Sequence, residues 1–287
     1  MTTEKVTLDV RTAVRDRYSQ IAESFEAGTP ANCGCNTSVS SCCGDEKEEA
    51  VNISAIEKFY KESDAATLPE EVTDLSLGCG DPITLAALTP GQTVLDLGSG
   101  GGIDCFLAGQ RVGPEGHVIG VDMTPAMLEK ARANKAKIGA DNVEFRLGEI
   151  EHLPVPDASI DVIISNCVIN LSTDKPQVFR EMYRAMRSGG KLAVSDMVTE
   201  GTLPDGLKDS LNAWAGCVSG ALDVEEYISG IKQAGFVDVQ IVPVYLDRDQ
   251  VDDAVRQLGG EIQLGGLSKE AVYKSVFSAK ITAHKPA

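Results

Sequence analysis

The chain of 287 residues carries 43 acidic against 26 basic side chains, a net charge of −17, with 43% apolar and 5% aromatic residues. That length buries one sizeable α/β core plus an accessory segment, and the apolar share excludes wholesale disorder. The negative balance repels phosphate backbones and anionic lipid, so neither nucleic acid nor a membrane is an expected partner, and no apolar run approaches the ~20 residues of a bilayer span.

In chain order, Val10, Val14, Tyr18 and Ile21 recur at helical spacing among charged residues and predict an amphipathic lid or packing helix over about 5–30. A Ser/Thr-rich stretch with Cys33, Cys35, Cys42 and Cys43 follows and reads as a mobile loop, because it has few large apolar groups to anchor it. From about residue 90, short apolar runs (93–95, 117–119, 143–145, 160–164, 191–194) alternate with helical stretches expected at 101–112, 125–139, 174–187 and 223–235. Near-continuous Val/Ile/Leu strands separated by helices predict a doubly wound α/β fold with a mostly parallel sheet. Ser188-Gly189-Gly190 reads as the stop of the third helix, and the alternating runs 237–242 and 272–277 read as late strands. The expected organisation is an N-terminal helix and Cys-rich segment over 1–70, a cofactor-binding domain over 71–240, and a C-terminal strand and helix extension over 241–287.

The strand ending in Asp96 runs into Leu97-Gly98-Ser99-Gly100-Gly101-Gly102 and then a helix, an arrangement that lets main-chain N–H groups approach a ligand at the helix N-terminus. A dinucleotide fingerprint needs a small residue at position 103, where this chain has Ile103. Asp122 closes the second strand, where a carboxylate can accept hydrogen bonds from ribose hydroxyls. Gly148-Glu149-Ile150 and Ser165-Asn166-Cys167 follow the third and fourth strands, so one ligand along the carboxyl edge of the sheet can touch all four segments, Asn166 included. These segments, with Gly120-Val121-Asp122-Met123-Thr124-Pro125, resemble class I S-adenosylmethionine-dependent methyltransferases. The resemblance implies that Asp96, Gly98, Ser99, Gly100 and Gly102 surround the methionine part of the donor, with Asp122 and Met123 at ribose and adenine and Glu149 and Ile150 flanking the adenine.

The eight cysteines, in a chain whose start lacks a basic region followed by an apolar stretch, suit a reducing, cytoplasmic compartment in which thiols stay free for metal binding or redox chemistry. Cys79 precedes the first strand, Cys167 ends the fourth and Cys217 follows the fifth, so the fold gathers all three near the donor. Converging thiolates suit a soft, thiophilic acceptor such as trivalent arsenic, whose lone pair attacks without a general base. The three histidines offer no evident partner carboxylate for deprotonating an oxygen or nitrogen nucleophile. A small organic acceptor with merely buried cysteines, or a thiol-rich metalloid-binding protein without turnover, stays open at this point. Cys105, among Ile103, Phe106 and Leu107, reads as a packing residue.

Leu77-Gly78-Cys79-Gly80-Asp81-Pro82, Ser165-Asn166-Cys167-Val168-Ile169-Asn170-Leu171 and Ala215-Gly216-Cys217-Val218-Ser219-Gly220-Ala221-Leu222 resemble the arsenite methyltransferase family over about 70–240. The resemblance implies arsenic(III) bound by Cys79, Cys167 and Cys217. Methylation through the arsenic lone pair formally yields arsenic(V), which must regain two electrons, and two thiols closing to a disulfide supply them. With the resemblance as support, a cysteine among Cys33, Cys35, Cys42 and Cys43 is expected to exchange with an active-site thiol and be re-reduced by thioredoxin or glutathione. The competing role for these four is a zinc site, against which the absence of two-residue gaps argues.

Overall fold

The computed structural model describes residues 3–25, 60, 67–73, 75, 78, 80–201, 220–245 and 276–287. The apolar runs become strands β1 (Thr93–Leu97), β2 (His117–Asp122), β3 (Val143–Leu147), β4 (Ile160–Asn166) and β5 (Met186–Thr199), which pair in parallel with one another. Two late strands, β6 (Val237–Val244) and β7 (Val276–His284), complete a seven-stranded sheet of order β3-β2-β1-β4-β5-β7-β6, with β7 antiparallel to both its neighbours.

Period-two alternation along the strands sends side chains into two separate cores, which is why the runs read as continuously apolar. Val94, Val118, Val162 and Ile164 face one layer, where they meet Phe106, Leu107, Leu128 and Ala131 of helices α4 (Ile103–Val112) and α5 (Pro125–Ile138). Leu95, Leu97, Ile119, Val121 and Ile163 face the other, against Val178, Phe179 and Met182 of α6 (Lys175–Ala185) and Tyr227 and Ile231 of α7 (Val224–Gln233). The N-terminal helix α1 spans Thr3–Ser24, so it ends earlier than the expected residue 30; 26–30 lie outside the described residues. Two short helical segments, α2 (Glu70–Thr73) and α3 (Pro82–Ala86), precede the sheet.

One expectation is corrected. The third expected helix ends at Ala185, because Met186 turns extended and is fully buried, and Ser188-Gly189-Gly190 therefore belongs to the start of β5 rather than to a helix stop. Gly189 donates its N–H to the carbonyl of Lys285 at 2.9 Å, which ties this turn to the end of the chain. The last strand begins at Val276, where the expected run 272–277 nearly ends, and positions 272–275 lie outside the described residues. The stretch 241–287 thus contributes β7 to the interior of the sheet, paired to β5 from Lys191↔His284 to Thr199↔Val276.

The strand order reverses between β1 and β4, so their carboxyl ends diverge into loops that open a crevice there, the place where open α/β sheets bind ligands. Among the described residues no helix is long and apolar enough to cross a membrane.

Candidate active site

The turn after β1 is built by the second strand. The carbonyl of Val121 accepts the N–H groups of Gly98 (2.7 Å) and Ser99 (3.0 Å), and a carboxylate oxygen of Asp122 accepts that of Gly100 (2.9 Å). Gly98 holds φ +68°, and a Cβ placed there would lie 2.3 Å from a methyl of Val168, so only glycine lets the turn lie this close to the end of β4. Gly102 caps α4, its carbonyl accepting the N–H of Phe106 at 2.9 Å.

A pocket opens over this turn. Its walls include Gly98, Ser99 and Gly100, then Asp122 and Met123 from the end of β2, Glu149 and Ile150 after β3, and Asn166 and Cys167 at the end of β4. Asp96 and Gly102 are not on its wall: Asp96 is 2% exposed behind the turn and accepts the thiol hydrogen of Cys105 at 3.2 Å. Burial pushes the Asp96 carboxyl well above the usual carboxylate range, and Asp104 beside it pushes the same way. Cys105, fully buried, has its thiol pushed up chiefly by burial and next by Asp96, so it stays protonated and packs as expected.

Ser99 tests whether the methyl donor fits. Its Oγ is buried on the pocket wall with no hydrogen-bond partner among the described residues, a polar group that a ligand's carboxylate or amine would satisfy. Asp122 lies at the mouth, its second oxygen accepting the N–H of Thr124 at 2.8 Å; burial raises its pKa, and the two backbone N–H groups oppose the rise. The remaining lone pairs of these carboxylate oxygens are available to ribose hydroxyls. The residues present therefore fit S-adenosylmethionine.

The roof comes from α1. Val10 and Val14 are buried against Met123 and Leu171, and Ala22 packs with Leu75 and Met127. Arg11 on the same helix pairs with Glu149 at 3.0 Å and Glu151 at 3.4 Å across the end of the pocket.

Cys167 stands at the other end, 6% exposed and in the left-handed region at φ +59°. Its N–H donates to the carbonyl of Ser195 on β5 at 2.8 Å. Cys167 is disulfide-bonded, and because Cys105 is free, the partner lies outside the described residues. Cys79, Cys217 and the four N-terminal cysteines Cys33, Cys35, Cys42 and Cys43 also lie outside them.

A methyltransferase domain model matches residues 88–239. Arsenite methyltransferase of Halobacterium salinarum is 44% identical over 280 residues, covering 97% of this chain and 67% of that protein. A crystal structure of an arsenic(III) S-adenosylmethionine methyltransferase from Chlamydomonas reinhardtii superposes with a TM-score of 0.63 at 33% identity, covering 81% of this chain and 74% of that one. The chain belongs to the arsenite methyltransferase family. The human arsenite methyltransferase is 37% identical over 199 residues, and there the match covers 66% of this chain and 52% of the relative.

Four titratable residues on the pocket wall had no place in the sequence expectations. Arg11 and Glu151 line it beside Glu149, and Tyr60 and Asp104 line it beside Asn166. Asp104 had a usable signal, since it is an acidic residue in the first turn of the helix that follows the glycine turn. Tyr60 had none, because its approach to Asp104 joins positions far apart in the chain. The structure also supplies a histidine and carboxylate pair that was not expected, His117 with Glu144 at 3.5 Å. It sits at the amino end of β2, on the edge of the sheet opposite the pocket, and so offers no base to it.

Proposed function

We propose that this chain transfers methyl groups from S-adenosylmethionine to trivalent arsenic held by the thiolates of Cys79, Cys167 and Cys217. The observation that carries the reading is the position of Cys167, on the wall of the same pocket that the glycine turn lines, one residue before the Val168 side chain packed on Gly98. Gly78 lines that pocket too, and the carbonyl of Gly80 accepts the side-chain N–H of Asn166 at 2.9 Å, so the residues on either side of Cys79 touch the segment that bears Cys167.

When bound, S-adenosylmethionine supplies an electrophilic methyl group on a sulfonium. Gly98, Ser99 and Gly100 would hold its methionine part, Asp122 and Met123 its ribose and adenine, and Glu149 and Ile150 would flank the adenine, with Asn166 at the reacting end. Asp96 and Gly102 would act from behind, by holding the turn in place. The protein's part at the acceptor is to deprotonate and converge thiols on arsenic, whose lone pair needs no base.

The arsenic loses two electrons on gaining the methyl group, and two thiolates closing to a disulfide return them. A cysteine among Cys33, Cys35, Cys42 and Cys43 would take part, and thioredoxin or glutathione, itself oxidised to a disulfide, would restore the thiols. The disulfide at Cys167 supports this reading, because a cycle of this kind needs a pocket cysteine that pairs. A reducing compartment such as the cytoplasm suits the chemistry.

The test is to incubate the purified chain with arsenite, S-adenosylmethionine and a thiol reductant and to separate methylated arsenicals by chromatography with elemental detection. Methylated arsenic is the expected product, and Cys167→Ser should abolish arsenite binding while leaving donor binding intact. No methylated arsenic under reducing conditions refutes the reading in favour of an organic acceptor or a binding protein without turnover.

A further inference from the structure

The carboxylates around the donor pocket are not equivalent. Asp122 is committed to the backbone of Gly100 and Thr124, Asp96 lies behind the wall on Cys105, and Glu149 and Glu151 face Arg11. Asp104 differs from all of them. It is 5% exposed and lines the pocket, and its oxygens are held by the hydroxyl of Tyr60 at 2.9 Å and the side-chain amide of Asn166 at 3.2 Å. The same Asn166 amide lies 2.9 Å from the Tyr60 hydroxyl oxygen, so the three side chains form one closed unit beside Cys167. Among the described residues, the titratable groups that interact with it are neutral or acidic: Tyr60, Asp81, Asp96 and Cys105. A buried carboxylate oriented toward a pocket, with no cation on it among the described residues, is an uncompensated charge unless the ligand brings the cation.

We propose that Asp104 is the residue by which this chain distinguishes the charged methyl donor from its demethylated product, stabilising the sulfonium at the thiol end of the pocket and losing that partner once the methyl group has left. S-adenosylmethionine and S-adenosylhomocysteine share the ammonium, the carboxylate, the ribose and the adenine, and they differ in the methyl group and the charge on sulfur. The other pocket contacts are common to both, so a selective contact has to lie near the sulfur. The thiol end is where that sulfur belongs if its methyl group is to face an acceptor on Cys167. Tyr60 and Asn166 act as positioning residues for this contact, because their hydrogen bonds fix the carboxylate. The inference rests on the donor named in the proposed function and on an acceptor at the Cys167 end of the pocket, whatever the chemistry of that acceptor.

Burial pushes the Asp104 carboxyl up to about 7, with Asp81 adding to the rise and the Asn166 and Tyr60 hydrogen bonds opposing it. Below that pH the empty pocket holds a neutral acid, and an entering cation favours the carboxylate, whose proton leaves to solvent. Donor affinity should therefore rise with pH up to about 7 and level off above it, while affinity for the uncharged thioether product should not.

The experiment is isothermal titration calorimetry on the full chain without arsenic, with S-adenosylmethionine and S-adenosylhomocysteine, from about pH 5.5 to 8.5 and in buffers of different ionisation enthalpy. The wild-type chain is expected to release protons on binding the donor and none on binding the product. Asp104→Asn should weaken donor binding by about tenfold, the factor that one unit of pKa coupling represents, remove its pH dependence, and leave product binding within about twofold. Tyr60→Phe removes one hydrogen bond from the carboxylate and should move the midpoint of the donor's pH profile upward, so the inference remains testable if Asp104→Asn does not fold. Equal loss of both ligands in Asp104→Asn would assign the residue to packing or to the shared ammonium and overturn the inference. Wild-type donor binding without proton release, or an unmoved midpoint in Tyr60→Phe, would overturn it as well.

Discussion

Replacing Gly98 by alanine tests how tightly the donor turn is coupled to the cysteine segment. Two costs add. The backbone at φ +68° is left-handed, which costs an L-residue about 1–2 kcal/mol, and the new Cβ would sit 2.3 and 2.6 Å from the two methyl groups of Val168, an overpacking of about 1–3 kcal/mol. Val168 is β-branched and stiff at χ1, so relief has to come from the backbone next to Cys167. The sum, about 2–5 kcal/mol, corresponds to a fall in Tm of roughly 4–20 °C for a chain of this size. Gly100→Ala is the control: φ is +49°, but nothing lies within 4 Å of its Cβ, so only the backbone term of about 1–2 kcal/mol remains. Differential scanning calorimetry of both variants, with arsenite binding measured in parallel, separates the terms. Gly98→Ala should melt lower than Gly100→Ala and lose arsenite affinity as well as donor affinity. Equal melting temperatures, or intact arsenite binding in a folded Gly98→Ala, would refute the coupling.

Arg11→Ala removes the ion pairs that hold α1 to Glu149 and Glu151. Because Arg11 and Glu149 are both partly exposed, that pair contributes about 1 kcal/mol or less, and stopped-flow measurement should find donor dissociation about two- to fivefold faster. Asp196 is fully buried and accepts hydrogen bonds from Asn170 at 2.8 Å and Tyr227 at 3.3 Å; burial pushes its carboxyl up to about 7. Its folded pKa exceeds the unfolded value of about 3.9, so the native state binds the extra proton, and this group lowers stability as pH rises from about 4 to 7. Asp196→Asn should flatten that decline in a series of thermal melts across pH; an unchanged slope would show that the carboxyl is not protonated in the folded state.

Much of the fold was legible because its signals are local. Runs such as Ile160–Ile164 and Val94–Leu95 are apolar on both faces, which only a sheet covered on both sides requires, and Gly113 and Gly139 close helices α4 and α5 where the chain turns into β2 and β3. The glycine turn was legible for the same reason, since strand, glycines and helix are contiguous, and the acidic end of β2 follows at the next strand. Ser188-Gly189-Gly190 misled because glycine punctuates a strand entry as readily as a helix exit, and the burial of Met186 decided between them.

By itself the sequence determined the parallel α/β order, the glycine turn after the first strand, and the residue types proposed to meet donor and acceptor, because each depends on neighbours in the chain or on residue type alone. Only the tertiary structure decided which residues share the pocket. It put Asp96 and Gly102 behind the wall, brought Arg11 of the first helix onto Glu149, and closed Tyr60 and Asn166 around Asp104. Those contacts join positions 44 to 138 residues apart. Their energies depend on burial and on the absence of water, properties of the folded interior that no stretch of sequence carries on its own.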